Sequence, residues 1–92
     1  MSLRWQFAAD TVLLRAWEGQ MVAYDRRTGD THCLDVVSSA LIARFLQSSI
    51  TTEPELRDAL TRDIDAGTEA DHLLSGALGE LERLNLVRRI TD

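Results

Sequence analysis

Apolar and polar positions alternate in the first third of the chain, and apolar positions recur every three to four residues afterwards. Between Val12 and Trp17, Val12, Leu14 and Ala16 take one side of an extended segment and Leu13, Arg15 and Trp17 the other. Glu18, Gly19 and Gln20 then supply a turn. Met21 to Tyr24 is strongly β-prone, Asp25 to Asp30 reads as a turn with Gly29 near its end, and Thr31 to Leu34 as another short strand. The pattern predicts a three-stranded antiparallel meander over Val12–Trp17, Met21–Asp25 and Thr31–Leu34. Gly29 supplies the positive φ that a longer hairpin loop needs, flanked by Asp25 and Asp30, whose side chains can bond loop backbone. Residues 2–10 show no clear period, although Trp5 and Phe7 are spaced to face the same way in an extended segment over one end of the core.

The helical half begins at Asp35, a good N-cap residue. Val37, Ala40, Leu41 and Phe45 follow on one face, predicting a helix from Val36 to Gln47. Val36, Ile42 and Leu46 widen that face, so this helix is expected to be the most buried. Residues 48–51 break the pattern. Thr52-Glu53-Pro54-Glu55 has the form of a capping box with proline in the first turn, and Leu56, Ala59 and Leu60 make the inward face of a helix ending near Arg62. Asp63 to Gly67 reads as a polar connection. Thr68 with Asp71 repeats the capping logic for a third helix ending near Asn85. Its apolar residues Leu73, Leu74, Ala77, Leu78, Leu81 and Leu84 cover an arc of roughly 140°, broader than the ~100° stripe that core packing needs, so one border is spare. Gly76 and Gly79 are placed on the polar side near His72 and Arg83, each costing the helix about 1 kcal/mol relative to Ala. Leu86 to Ile90 is a last short strand or an extended tail.

Strands followed by helices indicate an α+β fold, with helices segregated on one face of an antiparallel sheet. A three-stranded sheet needs such a layer to be stable. If Thr31 to Leu34 lies at the sheet edge, its unpaired backbone groups suit strand addition by a peptide.

Ninety-two residues suffice for one domain, expected to span residues 1–92, with one modest core. A net charge of −5 argues against a nucleic-acid backbone as main partner, because that binding rests on Lys and Arg displacing counterions. All ten basic residues are arginine. Cys33 is the single cysteine, so no internal disulfide can form. No apolar run approaches the roughly 20 residues of a membrane helix, and the first ten residues are too short and polar for a signal peptide, so cytoplasmic residence is expected.

The residues also exclude much chemistry. His32 and Cys33 are adjacent and point to opposite faces of a strand, so they cannot form a nucleophilic pair. Two distant histidines and one cysteine do not make a metal site, and the glycines form no phosphate-binding run. The expectation is a binding module without catalytic activity, cofactor or metal.

Three stretches carry a family resemblance. Thr28-Gly29-Asp30-Thr31-His32-Cys33-Leu34 has a Gly-x-Thr-His-x-Leu turn and strand, Thr52 to Leu56 a T-x-x-E-L, and Leu81 to Val87 an L-x-x-L-x-L-V ending, with Trp5 near the start. In this order and spacing they resemble the PqqD-like family of peptide recognition elements, and more narrowly the small PqqD-type proteins of HPr-rel-A systems. The resemblance implies a winged-helix-like fold of three strands followed by three helices. It also implies a leader or client peptide added to the strand Thr31, His32, Cys33, Leu34 and lying against the third helix, to be presented to a modifying enzyme. An HPr kinase-related protein and a nucleotidyltransferase-like protein are implied as further partners. Gly29, Thr31 and His32 match the family pattern, whereas Leu73, Ala77 and Glu80 come from the helical wheel alone. Two alternatives stand beside it: a winged-helix nucleic-acid binder using Arg88 and Arg89, and a homodimeric interaction subunit pairing the same edge with itself.

Overall fold

Two antiparallel three-stranded sheets, rather than one, face the helices. The computed structural model describes residues 3–18, 20–64 and 67–91. The strands are β1 (Leu3–Phe7), β2 (Val12–Trp17), β3 (Gln20–Asp25), β4 (Thr31–Leu34), β5 (Ile50–Thr52) and β6 (Val87–Thr91). The helices are α1 (Val36–Gln47), α2 (Glu53–Ile64) and α3 (Ala70–Arg83). The meander β2-β3-β4 has the predicted bounds to within one residue. Gly19, in the predicted turn, and Asp65, in the predicted polar connection, lie outside the described residues.

The second sheet corrects the expectation for residues 2–10 and 48–51. Leu3–Phe7 is a strand at the centre of the order β5-β1-β6, with Trp5 opposite Thr51 and Arg89, and Phe7 opposite Val87. Trp5 and Phe7 do share a face, and both are buried. Residues 48–49 end α1, but Ile50–Thr52 re-enters the sheet as β5. The C-terminal segment is a strand.

The β3–β4 loop is held from within. Gly29 sits at φ +79° and donates its N–H to the Asp25 carbonyl at 2.8 Å. The buried Asp25 carboxylate accepts the Arg27 N–H at 2.9 Å, while the Asp30 N–H is taken by the Thr28 hydroxyl at 3.2 Å. Asp25 thus bonds the loop backbone with its side chain.

Asp35 caps α1 as predicted, its Oδ1 accepting the Ser38 N–H at 2.7 Å. Leu41, Ile42 and Phe45 are buried, each contributing about 1.5–3 kcal/mol by leaving water. Val36 and Leu46 stay exposed, so the buried face of α1 is narrower than expected. Thr52 and Glu55 form the start of α2: the Glu55 N–H reaches the Thr52 hydroxyl, which in turn donates to the Glu55 carboxylate at 3.0 Å. Leu56, Ala59 and Leu60 are fully buried beneath it, and the helix runs past Arg62 to Ile64.

The start of α3 departs from the expected cap. Gly67–Glu69 forms a 3₁₀ turn, Glu69 occupies the N-cap position, and no side chain caps the helix, so Thr68 does not play that role. The far end is firmer. Asn85 takes the left-handed region at φ 63°, its N–H bonding Glu82 while the Leu86 N–H bonds Leu81 at 2.9 Å. This is a Schellman closure, and Leu81 and Leu86, the residues it joins, are both fully buried.

One core links the layers. Trp5, Phe7, Val12, Ala23, Leu34, Leu41, Phe45, Leu56, Leu60, Leu74, Leu78 and Leu81 belong to a single cluster. Helix α1 is its hub, touching β1, β3, β4 and both other helices.

Candidate functional site

The order β2-β3-β4 leaves β4 as an edge strand: among the described residues, nothing pairs with its outer side. Which residues present their backbone there follows from the ladder. Along an antiparallel strand, N–H and C=O groups turn alternately toward and away from a given neighbour. Asp25 donates its N–H to Asp30 and Arg26 donates to Thr11, so odd-numbered β3 residues bond toward β4. Ala23 lies opposite His32 and Met21 opposite Leu34, so His32 and Leu34 are the β4 residues turned toward β3. Thr31 and Cys33 therefore turn their N–H and C=O groups to the open side.

Side chains alternate in the other sense. Leu34 is buried and His32 half-buried on the inner face, whereas Thr31 and Cys33 are exposed on the outer one. His32 and Cys33 thus cannot act as a pair. The inner end of β4 is tied to α1 by Ser39, whose hydroxyl accepts the Met21 N–H at 3.3 Å and donates to the Leu34 carbonyl at 3.4 Å.

Past Leu34 the chain reaches the rim of a groove of about 240 Å³ lined by Asp35, Val37 and Ser38 from the start of α1 and by His72, Leu73, Gly76, Ala77 and Glu80 from α3. Leu73, Ala77 and Glu80, chosen on the helical wheel, line it together. Val37, Leu73 and Ala77 are half-buried and form its apolar floor. His72 and Gly76, placed by periodicity on the polar side, belong instead to the groove wall; Gly79 does not line it.

Charges collect on the rim. Glu80 holds Arg83 through two hydrogen bonds, of 2.6 and 3.1 Å. That contact is the main cause holding the Glu80 carboxyl below its ordinary value, with desolvation and the Asp35 charge opposing it and His32 assisting. Glu80 thus feels the charges of both Asp35, across the groove, and His32 on β4.

A larger cavity, about 460 Å³, opens elsewhere, with Asp10, Arg27, Asn85 and Arg88 in its lining; of the predicted residues it holds Arg88, named for the nucleic-acid alternative, and none of those named for peptide binding. Its guanidinium groups are engaged: Arg88 donates to the Gln6 amide oxygen at 2.7 Å, and Arg27 lies 3.7 Å from Asp25. Arg89 is likewise occupied, paired with Glu82 at 3.1 Å and stacked 5.2 Å from the centroid of the Trp5 ring. Among the described residues, no group of three or more His, Cys, Asp or Glu is arranged to hold a metal ion. No helix among them is long and apolar enough to cross a membrane.

No protein-family model matches the chain, and no curated protein does. A solved structure does: TbiB1 in complex with the TbiA(beta) leader peptide, at 18% identity and a TM-score of 0.74, covering 95% of this chain and 99% of that one. The chain has the α+β fold of TbiB1, a three-stranded antiparallel meander and three helices together with the strands that form the second sheet.

Proposed function

We propose that this chain is a peptide-binding adaptor that captures an extended segment by adding it as a fourth strand beside β4. The observation that carries the reading is the open β4 edge, where Thr31 and Cys33 offer their backbone groups next to a groove that inward-facing peptide side chains can enter. Two residues present one donor and one acceptor each, so about four backbone hydrogen bonds form, each contributing about 1 kcal/mol net. Side chains in the groove supply the remaining affinity and the selectivity.

The likeness to TbiB1, whose solved structure is a complex with a leader peptide, favours a precursor-peptide leader as the segment bound. The resemblance of Gly29, Thr31 and His32 to PqqD-like proteins points the same way, toward a non-catalytic, cytoplasmic protein that hands its peptide to a modifying enzyme. An HPr kinase-related protein and a nucleotidyltransferase-like protein are the partners this narrower reading names. A duplex-binding role fits poorly, because Arg88 and Arg89, the cations it would use, are engaged by Gln6, Glu82 and Trp5.

The test is amide exchange on the purified protein with peptides selected for binding. Added peptide should slow exchange at Thr31 and Cys33, the two outward donors, with little change at His32 and Leu34. Slowing confined to β2 would move the site to the opposite edge of the sheet. If the Thr31 and Cys33 amides are already slow in the free protein and become fast only on dilution, the edge serves a homodimer.

A further inference from the structure

Gly76 and Gly79 sit one turn apart on α3, and neither has an internal reason to be glycine. Both are in the helix interior without a positive φ, and among the described residues a Cβ built on either meets no atom within 4 Å beyond its chain neighbours and the helix's own backbone. Ordinary packing of the chain on itself therefore gives the helix nothing in return for its glycines. Their positions differ in one respect: Gly76 is in the groove wall between Leu73 and Glu80, and Gly79 is outside it. The clearance at Gly76 opens onto the space that an added strand's inward side chain would enter. At about 240 Å³ the groove falls below the roughly 300 Å³ at which small-molecule sites begin, and suits a single large side chain better than a free ligand. Its charged lining is one-signed: Asp35 and Glu80 are acidic, and neither Lys nor Arg lines it. Glu80 is already paired with Arg83, which leaves Asp35, one oxygen of which caps α1, as the carboxylate to attract a cation.

We infer that Gly76 gauges this groove, admitting one bulky apolar side chain from a peptide segment that also carries a basic residue. The inference rests on the peptide-binding reading above and deepens it. Adding a side chain at position 76 fills the clearance and shifts preference toward small residues at the same peptide position. The same addition at position 79 leaves preference unchanged. Both positions are exposed, leucine is helix-compatible, and a Cβ at either site opens onto free space, so Gly76→Leu and Gly79→Leu should both preserve the fold.

The probe is a displayed library of random dodecamer peptides, selected separately on the wild-type chain, Gly76→Leu and Gly79→Leu, with circular dichroism melts verifying that all three fold. The wild type should enrich a bulky apolar residue at one position and Lys or Arg over Asp or Glu near it. Gly76→Leu should bind the wild-type consensus at least tenfold more weakly and enrich Gly, Ala or Ser at that position, while Gly79→Leu repeats the wild-type result. Identical consensus sequences for wild type and Gly76→Leu overturn the gauge and leave peptide binding standing, and an acidic consensus overturns the charge assignment. Enrichment of no peptide by the folded wild type overturns the peptide-binding reading and the gauge with it.

Discussion

The hydroxyl of Ser39 accepts the backbone N–H of Met21 at 3.3 Å, and it stands beside Leu34, the residue opposite Met21 in the β3–β4 ladder, to whose carbonyl it donates. One side chain of α1 thus fastens the last rung of the proposed recognition hairpin. Ser39→Ala removes both hydrogen bonds and should cost about 1–2 kcal/mol, at about 1 kcal/mol or less for each of two long bonds, lowering Tm by roughly 4–8 °C per kcal/mol for a chain of this size. Denaturant unfolding measures the first and amide exchange at Met21 the locality. Faster exchange spread over the whole chain would deny Ser39 its local role.

Proline substitutions separate the two sides of β4. At Cys33 proline removes a donor that faces the open side and spares the bonds to β3. At His32 it removes a donor turned toward Ala23. Cys33→Pro should weaken a selected peptide at least tenfold, about 1.4 kcal/mol, with a small change in melting temperature. His32→Pro should itself destabilise the fold by about 1–3 kcal/mol, because the Ala23 carbonyl loses its partner. Equal peptide affinity for Cys33→Pro and the wild type would rule out strand addition at this edge.

Two exposed glutamates contribute to stability on the acid side. The Thr52 hydroxyl is the leading cause that holds the Glu55 carboxyl below its usual range, with Arg44 assisting, and Arg83 does the same for Glu80. A carboxyl whose folded value is depressed stabilises the protein above its unfolded value, and that contribution fades as pH falls through the folded value. Arg83→Met should raise the Glu80 titration midpoint toward the ordinary carboxylate value, and Thr52→Ala the Glu55 midpoint, each followed by carboxyl NMR. Both effects should shrink in high salt, since these groups face solvent.

Asn85 holds a backbone conformation that branched residues avoid. Asn85→Val should destabilise by about 1–2 kcal/mol, whereas Asn85→Gly should leave stability nearly unchanged. Chemical denaturation decides it, and equal stability of the two variants would show that the Schellman closure tolerates any residue.

The meander, the three helices, the Asp35 cap and the Thr52–Glu55 pair were legible in sequence because each is set by neighbours a few residues away. The second sheet was not, although Leu3, Trp5 and Phe7 alternate with Arg4 and Gln6. Five residues are too few to establish a period, and the strand exists because Val87 to Thr91 and Ile50 to Thr52, distant in sequence, lie alongside it. Of the candidate site, Leu73, Ala77 and Glu80 were legible as the spare border of an over-wide arc. Gly76 and His72 were not, since periodicity sorts positions into core and solvent, and a groove wall is neither. Asp35 was read only as a cap, yet it also stands on the rim.

Leu3 pairs with Thr91 at one end of the β1–β6 ladder, and Phe7 with Val87 at the other. Tension applied between residues 3 and 91 therefore loads the rungs one after another, as a zipper opens, instead of shearing them together. The β5-β1-β6 sheet would part at low force in an optical trap, and the meander, which lies wholly between the grips and is not in series with those rungs, would outlast it.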